Sequence, residues 1–346
     1  MSSSINEQLR TEQIKSVLLD CDIIISHILT CPDAATSVAI IKNFRKDNGI
    51  EKELKVLDFL NPNLNPAQQE QVKSTEGKIV VLDIVPSNIQ DIASRVQLII
   101  DHHESNFKFL SGLDEKTIIV TPKNINEEKE DVKNISACAL LYETLFGKES
   151  SFPSNVVTAN DYDTGNFTEQ AINFKALFDE LCKSRSQVDF CESMLRNDHD
   201  FVTRVMDEGK RLHDEKQANI EKDVKNIQLQ TVCCLSNNVT YKILTGPTHF
   251  SLVSEVAKLA FDNYPQADFS AHFMHKIENG QAKTQYFLRS TAGRKSLMEI
   301  YPYLPSGVGG SPFAGGFVVN GTFNGLPEDL FQLIGDYDSV PVNLNA

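Results

Sequence analysis

Apolar residues gather in short uninterrupted runs, and the stretches between them carry helical spacing. Ile23-Ile24-Ile25 within Cys21–His27, Lys78–Asp83, Val96–Ile100 and Ile118-Ile119-Val120 have the length and β-branched content of buried strands, and Lys55–Leu60 fits a further one. After Cys31-Pro32-Asp33, the positions Ala35, Val38, Ala39, Ile40 and Phe44 repeat with helical period. A short amphipathic segment, Ile14–Leu19, precedes the first strand, and Asn61–Ala67 reads as a loop. A helix is expected over Ile89–Val96, another over Ser136–Phe146, and a short one over Asn155–Ala159. Glu169 to about Asp223 reads as mostly helical, with Leu177, Leu181, Met194, Leu195, Phe201, Val202 and Val205 facing inward. Strand and helix alternating in this way predict an α/β fold on a parallel sheet, which places ligands beyond the C-terminal ends of its strands.

The pattern then changes to alternating, β-rich segments: Gln228–Leu235, Val239–Leu244, Ala271–Ile277, Gln285–Ser290 and Phe317–Val319, with one helix over Ser251–Phe261. A glycine-rich segment, Gly307 to Gly316, precedes the last of these. The organisation expected is a parallel-sheet domain over 14–205, a helical connector over 206–225 and a smaller α/β domain over 226–340.

Charge and composition narrow the partners. With 33 basic and 47 acidic residues in 346, the net charge of −14 opposes binding of long duplex DNA across a broad cationic face and favours a small phosphorylated substrate. No run approaches the ~20 apolar residues of a membrane span. The polar, acid-bearing Met1–Lys15 resembles neither a secretory signal nor a presequence, and seven scattered cysteines do not make a disulfide framework, so a cytoplasmic setting with reduced thiols is expected.

The chemistry collects where strands end. His27 closes the first run, Asp83 the Lys78 run, and Asp101-His102-His103 follow Ile100; Asp33 lies in the turn after His27, and Asp161 or Asp163 completes the set. Carboxylates and imidazoles together suit a divalent transition ion such as Mn2+. Two such ions ~3.5–4 Å apart acidify a water and neutralise charge on a phosphoryl group.

His27-x3-Cys31-Pro32-Asp33, Asp83, Asp101-His102-His103 and Asn160-Asp161-Tyr162-Asp163-Thr164-Gly165 occur in the order of the four motifs of the DHH phosphoesterase superfamily, which they resemble. Arg289-Ser290 and Gly309-Gly310-Ser311 through Phe317 resemble the DHH-associated domain, with its Arg-Ser strand end and GGGH loop. Carried over, the resemblance implies two Mn2+ ions on His27, Asp33, Asp83, His102 and one of Asp161 and Asp163, with Asp161 slightly preferred; Zn2+, Mg2+ or Co2+ are the other candidates. Asp83 bridges in that arrangement, Asp101 orients a histidine, and His103 meets the substrate phosphate. Cys31 stands where the commoner motif has an aspartate; as a metal ligand its softer thiolate favours Zn2+ or weakens one site. Ser311 replaces the loop histidine, leaving the backbone of Gly309 and Gly310 and the side chains of Arg289, Ser290 and Ser311 as the substrate-binding set.

The function expected is that of a metal-dependent phosphoesterase acting by metal-activated water on a nucleotide or a short single-stranded oligonucleotide, in a cleft between the domains. An oligoribonuclease or exonuclease activity falls within that description. Inorganic pyrophosphatase and a catalytically impaired nucleotide-binding protein are the alternatives, and the oligomeric state is left open. Other polar clusters read as structural. His272 and His275 point to opposite faces of a strand, Cys233-Cys234 fill one, Asp198-His199-Asp200 form a solvated helix face, and Lys123–Lys133 are a charged loop.

Overall fold

Runs of isoleucine, valine and leucine become strands buried on both sides. The computed structural model describes residues 2–113, 115–122, 135–147, 149–184, 186–305 and 309–334, which leaves the Lys123–Lys133 run and Gly307 and Val308 outside the described residues. The chain divides into two compact units, Met1–His213 and Asp214–Ala346.

The first unit runs α1 (Ser2–Asp20), β1 (Ile23–His27), α2 (Pro32–Asp47), β2 (Lys55–Phe59), α3 (Pro66–Lys73), β3 (Ile79–Leu82), a 3₁₀ turn (Ile89–Arg95), β4 (Val96–Ile100) and β5 (Ile118–Val120). Helices α4 (Ala137–Phe146), α5 (Ser154–Asp163), α6 (Glu169–Ser184), α7 (Gln187–Met194) and α8 (Asp198–Arg204) follow. A π turn, Val205–Gly209, then leads into α9 (Lys210–Val224), which runs on past the division between the units.

All five strands are parallel, in the order β2-β1-β3-β4-β5. Alternate residues of one strand feed two cores. Ile24, Val80, Leu82, Leu98 and Ile100 join α1, α2 and the helices from α4 onward, whereas Ile23, Ile25, Ile79, Val81 and Ile99 join Leu64, Val72, Ile89 and Ile92. The strand order reverses between β1 and β3, so their following segments leave in opposite directions and open a crevice at the C-terminal edge. His27 and Asp83 stand on either side of that point.

Two expectations change here. The Ile89–Val96 helix is a single 3₁₀ stretch, because its two buried side chains, Ile89 and Ile92, need only an i, i+3 contact. The Asn61–Ala67 loop ends in a helix, α3, opened by a capping box between Asn65 and Gln68 with Pro66 at its first position.

The second unit is a seven-stranded sheet in the order β10-β11-β9-β8-β7-β6-β12. Its strands are β6 (Gln228–Cys234), β7 (Val239–Pro247), β8 (Phe269–Glu278), β9 (Gln281–Arg289), β10 (Gly309–Gly310), β11 (Ala314–Asn320) and β12 (Phe331–Leu333), with helix α10 (Val253–Asn263) between β7 and β8. That helix is the crossover that makes β7 and β8 parallel in an otherwise antiparallel sheet. One face packs on α10 and the end of α9, the other on Leu297, Ile300, Phe317 and Phe331.

Candidate metal centre

Seven side chains from five places in the sequence meet at the C-terminal edge of the first sheet. Their potential ligand atoms form three overlapping groups, each within 4.8 Å: His27, Cys31 and Asp83; Asp83, His102 and His103; Asp33, His102 and Asp163. Asp83 belongs to two of them and His102 to two, so the groups are one continuous cluster.

Asp83 is the centre of it. The residue follows β3 in the left-handed region, φ 59°, with its N–H bonded to the Ile100 carbonyl at 2.9 Å. Residues other than glycine adopt this conformation rarely, aspartate and asparagine more readily than most, and its cost is of order 1–3 kcal/mol. The turn aims the carboxylate across the strand ends, where it is 1 % exposed and lies 3.2 Å from His102 Nε2, 3.6 Å from His27 Nδ1 and 3.6 Å from His103 Nδ1.

Those distances are short, yet both Asp83 carboxylate oxygens, His102 Nε2 and Asp163 Oδ2 are buried without a properly aligned hydrogen bond among the described residues. His102 Nε2 also lies 3.3 Å from Asp163 Oδ2 and 3.9 Å from Asp33 Oδ2. The atoms converge on common points rather than on one another. That geometry, with an oxygen, nitrogen and sulfur donor set, fits divalent transition ions.

The second contacts of each side chain hold it in this orientation. His27 Nε2 lies 3.3 Å from the Leu60 carbonyl, to which it donates, so the lone pair falls on Nδ1, facing Asp83. Asp33, fully buried, accepts the N–H groups of Ala137 at 2.8 Å and Cys138 at 2.6 Å, the first turn of α4. Helix α5, which carries Asp163 at its end, is held at its start by Asp198, whose carboxylate accepts from the Ser154 N–H and hydroxyl. Asp198, on an exposed helix face as expected, is also a helix anchor.

Asp101 accepts the His103 N–H at 3.0 Å and His103 Nδ1–H at 2.9 Å, while Asn106 donates to its other oxygen at 2.8 Å. The histidine it orients is His103, at the more exposed side of the cluster, with His102 stacked beside it at 4.1 Å. Asn106 has no motif of its own; its signal is only that a buried carboxylate needs a second donor.

The preference for Asp161 reverses. Its carboxylate turns toward Asn166 Nδ2, at 3.0 Å, and Thr168 Oγ1, at 3.4 Å, and takes no part in the ligand groups. Residues two apart on a helix differ by roughly 200° in direction, so only one of the two acids can face the sheet edge, and it is Asp163.

Protonation follows from the crowding of acids. Burial alone would lower His102, but the Asp83 carboxylate 3.2 Å away and the charges of Asp33 and Asp163 raise it from 6.5 to about 9. Burial, then the charges of Asp83 and Asp163, push Asp33 upward. Burial and neighbouring Asp83 and Asp33 push the Cys31 thiol up. Asp101 raises His103 against the opposing effect of burial.

In the second unit, Arg289 ends β9 opposite Ala314 of β11, and Gly309 and Gly310 pair with Gly316 and Gly315. Its Nε donates to Ser254 Oγ at 3.3 Å and Nη1 to the Leu288 carbonyl at 2.8 Å, which leaves Nη2 as the arm outside these bonds. Ser311 Oγ accepts the N–H groups of Phe313 and Ala314, so the hydroxyl shapes its own turn. Ser290, buried, donates to the Lys295 carbonyl at 2.7 Å, so its hydrogen is committed to the loop. His272 is fully buried on β8 and His275 exposed, and neither joins a ligand group among the described residues.

No family model and no curated protein matches the chain. Solved structures do. Exonuclease RecJ bound to manganese aligns over 89% of each chain at 12% identity with a TM-score of 0.47. The pGpG-specific phosphodiesterase PggH from Vibrio cholerae aligns over 86% of this chain and 92% of its own, at 13% identity and a TM-score of 0.46. RecJ from Thermus thermophilus in complex with Mn2+ aligns over 90% of this chain and 51% of its own, at 13% identity and a TM-score of 0.44.

Proposed function

We propose that the chain is a metal-dependent phosphoesterase whose centre is built on Asp83 and which hydrolyses a nucleotide or a short oligonucleotide. The observation that carries this reading is the convergence of His27, Cys31, Asp33, Asp83, His102 and Asp163 on shared points, with buried oxygens and a ring nitrogen left without aligned partners. Two divalent ions held there supply Lewis acidity, lowering the pKa of a water and neutralising phosphoryl charge.

The protein's own groups do the rest. Asp83 groups with His27 and Cys31 on one side and with His102 on the other, and His102 in turn groups with Asp33 and Asp163, so the Asp83–His102 pair joins the two halves. Asp33, held by α4, and Asp163, at the end of α5, set the distance of one half from the sheet. His103 is tethered at Nδ1 by Asp101, which favours the charged ring, and in that form Nε2–H is free to donate to a phosphoryl oxygen. Arg289 supplies a guanidinium arm, and the glycines after it a close backbone approach, for recognition of a further phosphate by the second unit.

The direct test is Mn2+-dependent turnover of phosphoadenosine phosphate and of short oligoribonucleotides, with pyrophosphate alongside. Turnover of the nucleotides above pyrophosphate is expected. A protein loaded with divalent ions that hydrolyses none of these phosphoesters would refute the proposal.

A further inference from the structure

The cluster contains one sulfur. Cys31 Sγ lies within 4.8 Å of a ligand atom of His27 and one of Asp83, and no other cysteine among the described residues joins such a group. Its placement is specific: the Cys31 N–H bonds the Ile28 carbonyl at 2.8 Å, closing a tight turn that brings the residue back beside His27. Cys31 then sits at the N-cap of α2 with extended backbone, φ −84° and ψ 127°, and its side chain makes no capping hydrogen bond.

The other side of the cluster differs in kind. Asp33, His102 and Asp163 offer only oxygen and nitrogen. Thiolate selects thiophilic ions, whereas carboxylates suit harder ones.

We infer that Cys31 is itself a ligand, and that the ion positions on the two sides of the cluster are chemically unequal. The position formed by His27, Cys31 and Asp83 takes a thiophilic ion of the Zn2+ or Co2+ kind, and the position formed with Asp33, His102 and Asp163 takes a harder ion such as Mn2+. This rests on the dinuclear reading above and adds the identity of the metals to it. A mixed-metal protein follows, in which one ion exchanges against Mn2+ more slowly than the other.

The experiment is a Co2+ titration of the metal-free full chain, followed by absorption, with a phosphine reductant present. The parent should bind two ions and develop a near-ultraviolet thiolate-to-cobalt charge-transfer band with one of them. Cys31→Ser should lose that band completely while keeping the visible bands of bound Co2+, and a retained Mn2+ thermal shift would show that the variant is folded. Two bound ions without a charge-transfer band, or a band unchanged in Cys31→Ser, overturn the inference while leaving the dinuclear reading intact. Failure of the parent to bind Co2+ or Mn2+ overturns both.

Discussion

Asp163→Asn should change the sign of its effect on stability according to whether metal is present. In the metal-free protein the Asp163 carboxylate is mostly buried, its Oδ2 lacks an aligned hydrogen bond, and burial together with the Asp83 charge pushes its pKa up. An amide of the same shape removes the charge and can donate to a neighbouring carboxylate. Relief of one unsatisfied buried group is worth about 1–3 kcal/mol. For a folding unit of 150–250 residues, each kcal/mol moves Tm by roughly 2–4 °C, so the variant should melt about 2–12 °C above the parent in chelator. With metal, the balance turns. An ion held at 100 times its Kd contributes about 2.7 kcal/mol, or roughly 5–11 °C, and the variant forfeits much of this at the position it lines. Thermal melts of both proteins, in chelator and in saturating Mn2+, read the two signs directly. A variant that is less stable than the parent in chelator, or that gains the full parental shift from Mn2+, refutes the assignment of Asp163 to the centre.

Stability of the metal-free protein should fall as pH rises from about 6.5 to about 9, because the raised His102 contributes fully below its unfolded pKa and loses that contribution as it deprotonates in the fold. Asp33, raised from 3.8 to about 7, acts in the same direction at lower pH, between those two values, and saturating Mn2+ should flatten the profile in denaturant midpoints measured across both ranges. Asp101→Asn releases His103 without removing a metal donor; phosphoesterase activity should drop about 10–100-fold with metal content unchanged. Asp161→Ala should cost about 1 kcal/mol through its lost hydrogen bonds while leaving ion stoichiometry intact, as calorimetric titration would show. Arg289→Ala should raise KM far more than it lowers kcat, and an equal fall of both kcat and kcat/KM would argue against a recognition role.

The three central strands of the first unit, β1, β3 and β4, were legible because each is buried on both faces, so its apolar run is unbroken and needs no phase to be recognised. The polar residues that end those runs were legible for the same reason: His27, Asp83 and Asp101 interrupt them where the chain leaves the core. The choice between Asp161 and Asp163 was not, because it depends on the phase of the last turn of α5, where few apolar positions remain to define a face. Helix α1 extends far beyond the Ile14–Leu19 segment since its earlier residues bring no apolar stripe to announce them. Strand β12 is three residues long and lies at a sheet edge, too short to show alternation. The anchoring roles of Asp198 and Asn106 arise between segments 44 and 5 residues apart respectively, and pairings of that kind leave no periodic trace.

The bonds from α4 to Asp33 bear on how ions come and go. Both carboxylate oxygens are held by backbone amides, so this donor stands in position before any cation arrives, and helices α2 and α4 remain pinned to each other after one departs. On the proposed dinuclear reading, loading would be an exchange of protons for ions inside a standing scaffold, not a folding event. Chelation should be reversible within the native protein, and the metals recovered with it should report the ions available to the folded protein after synthesis.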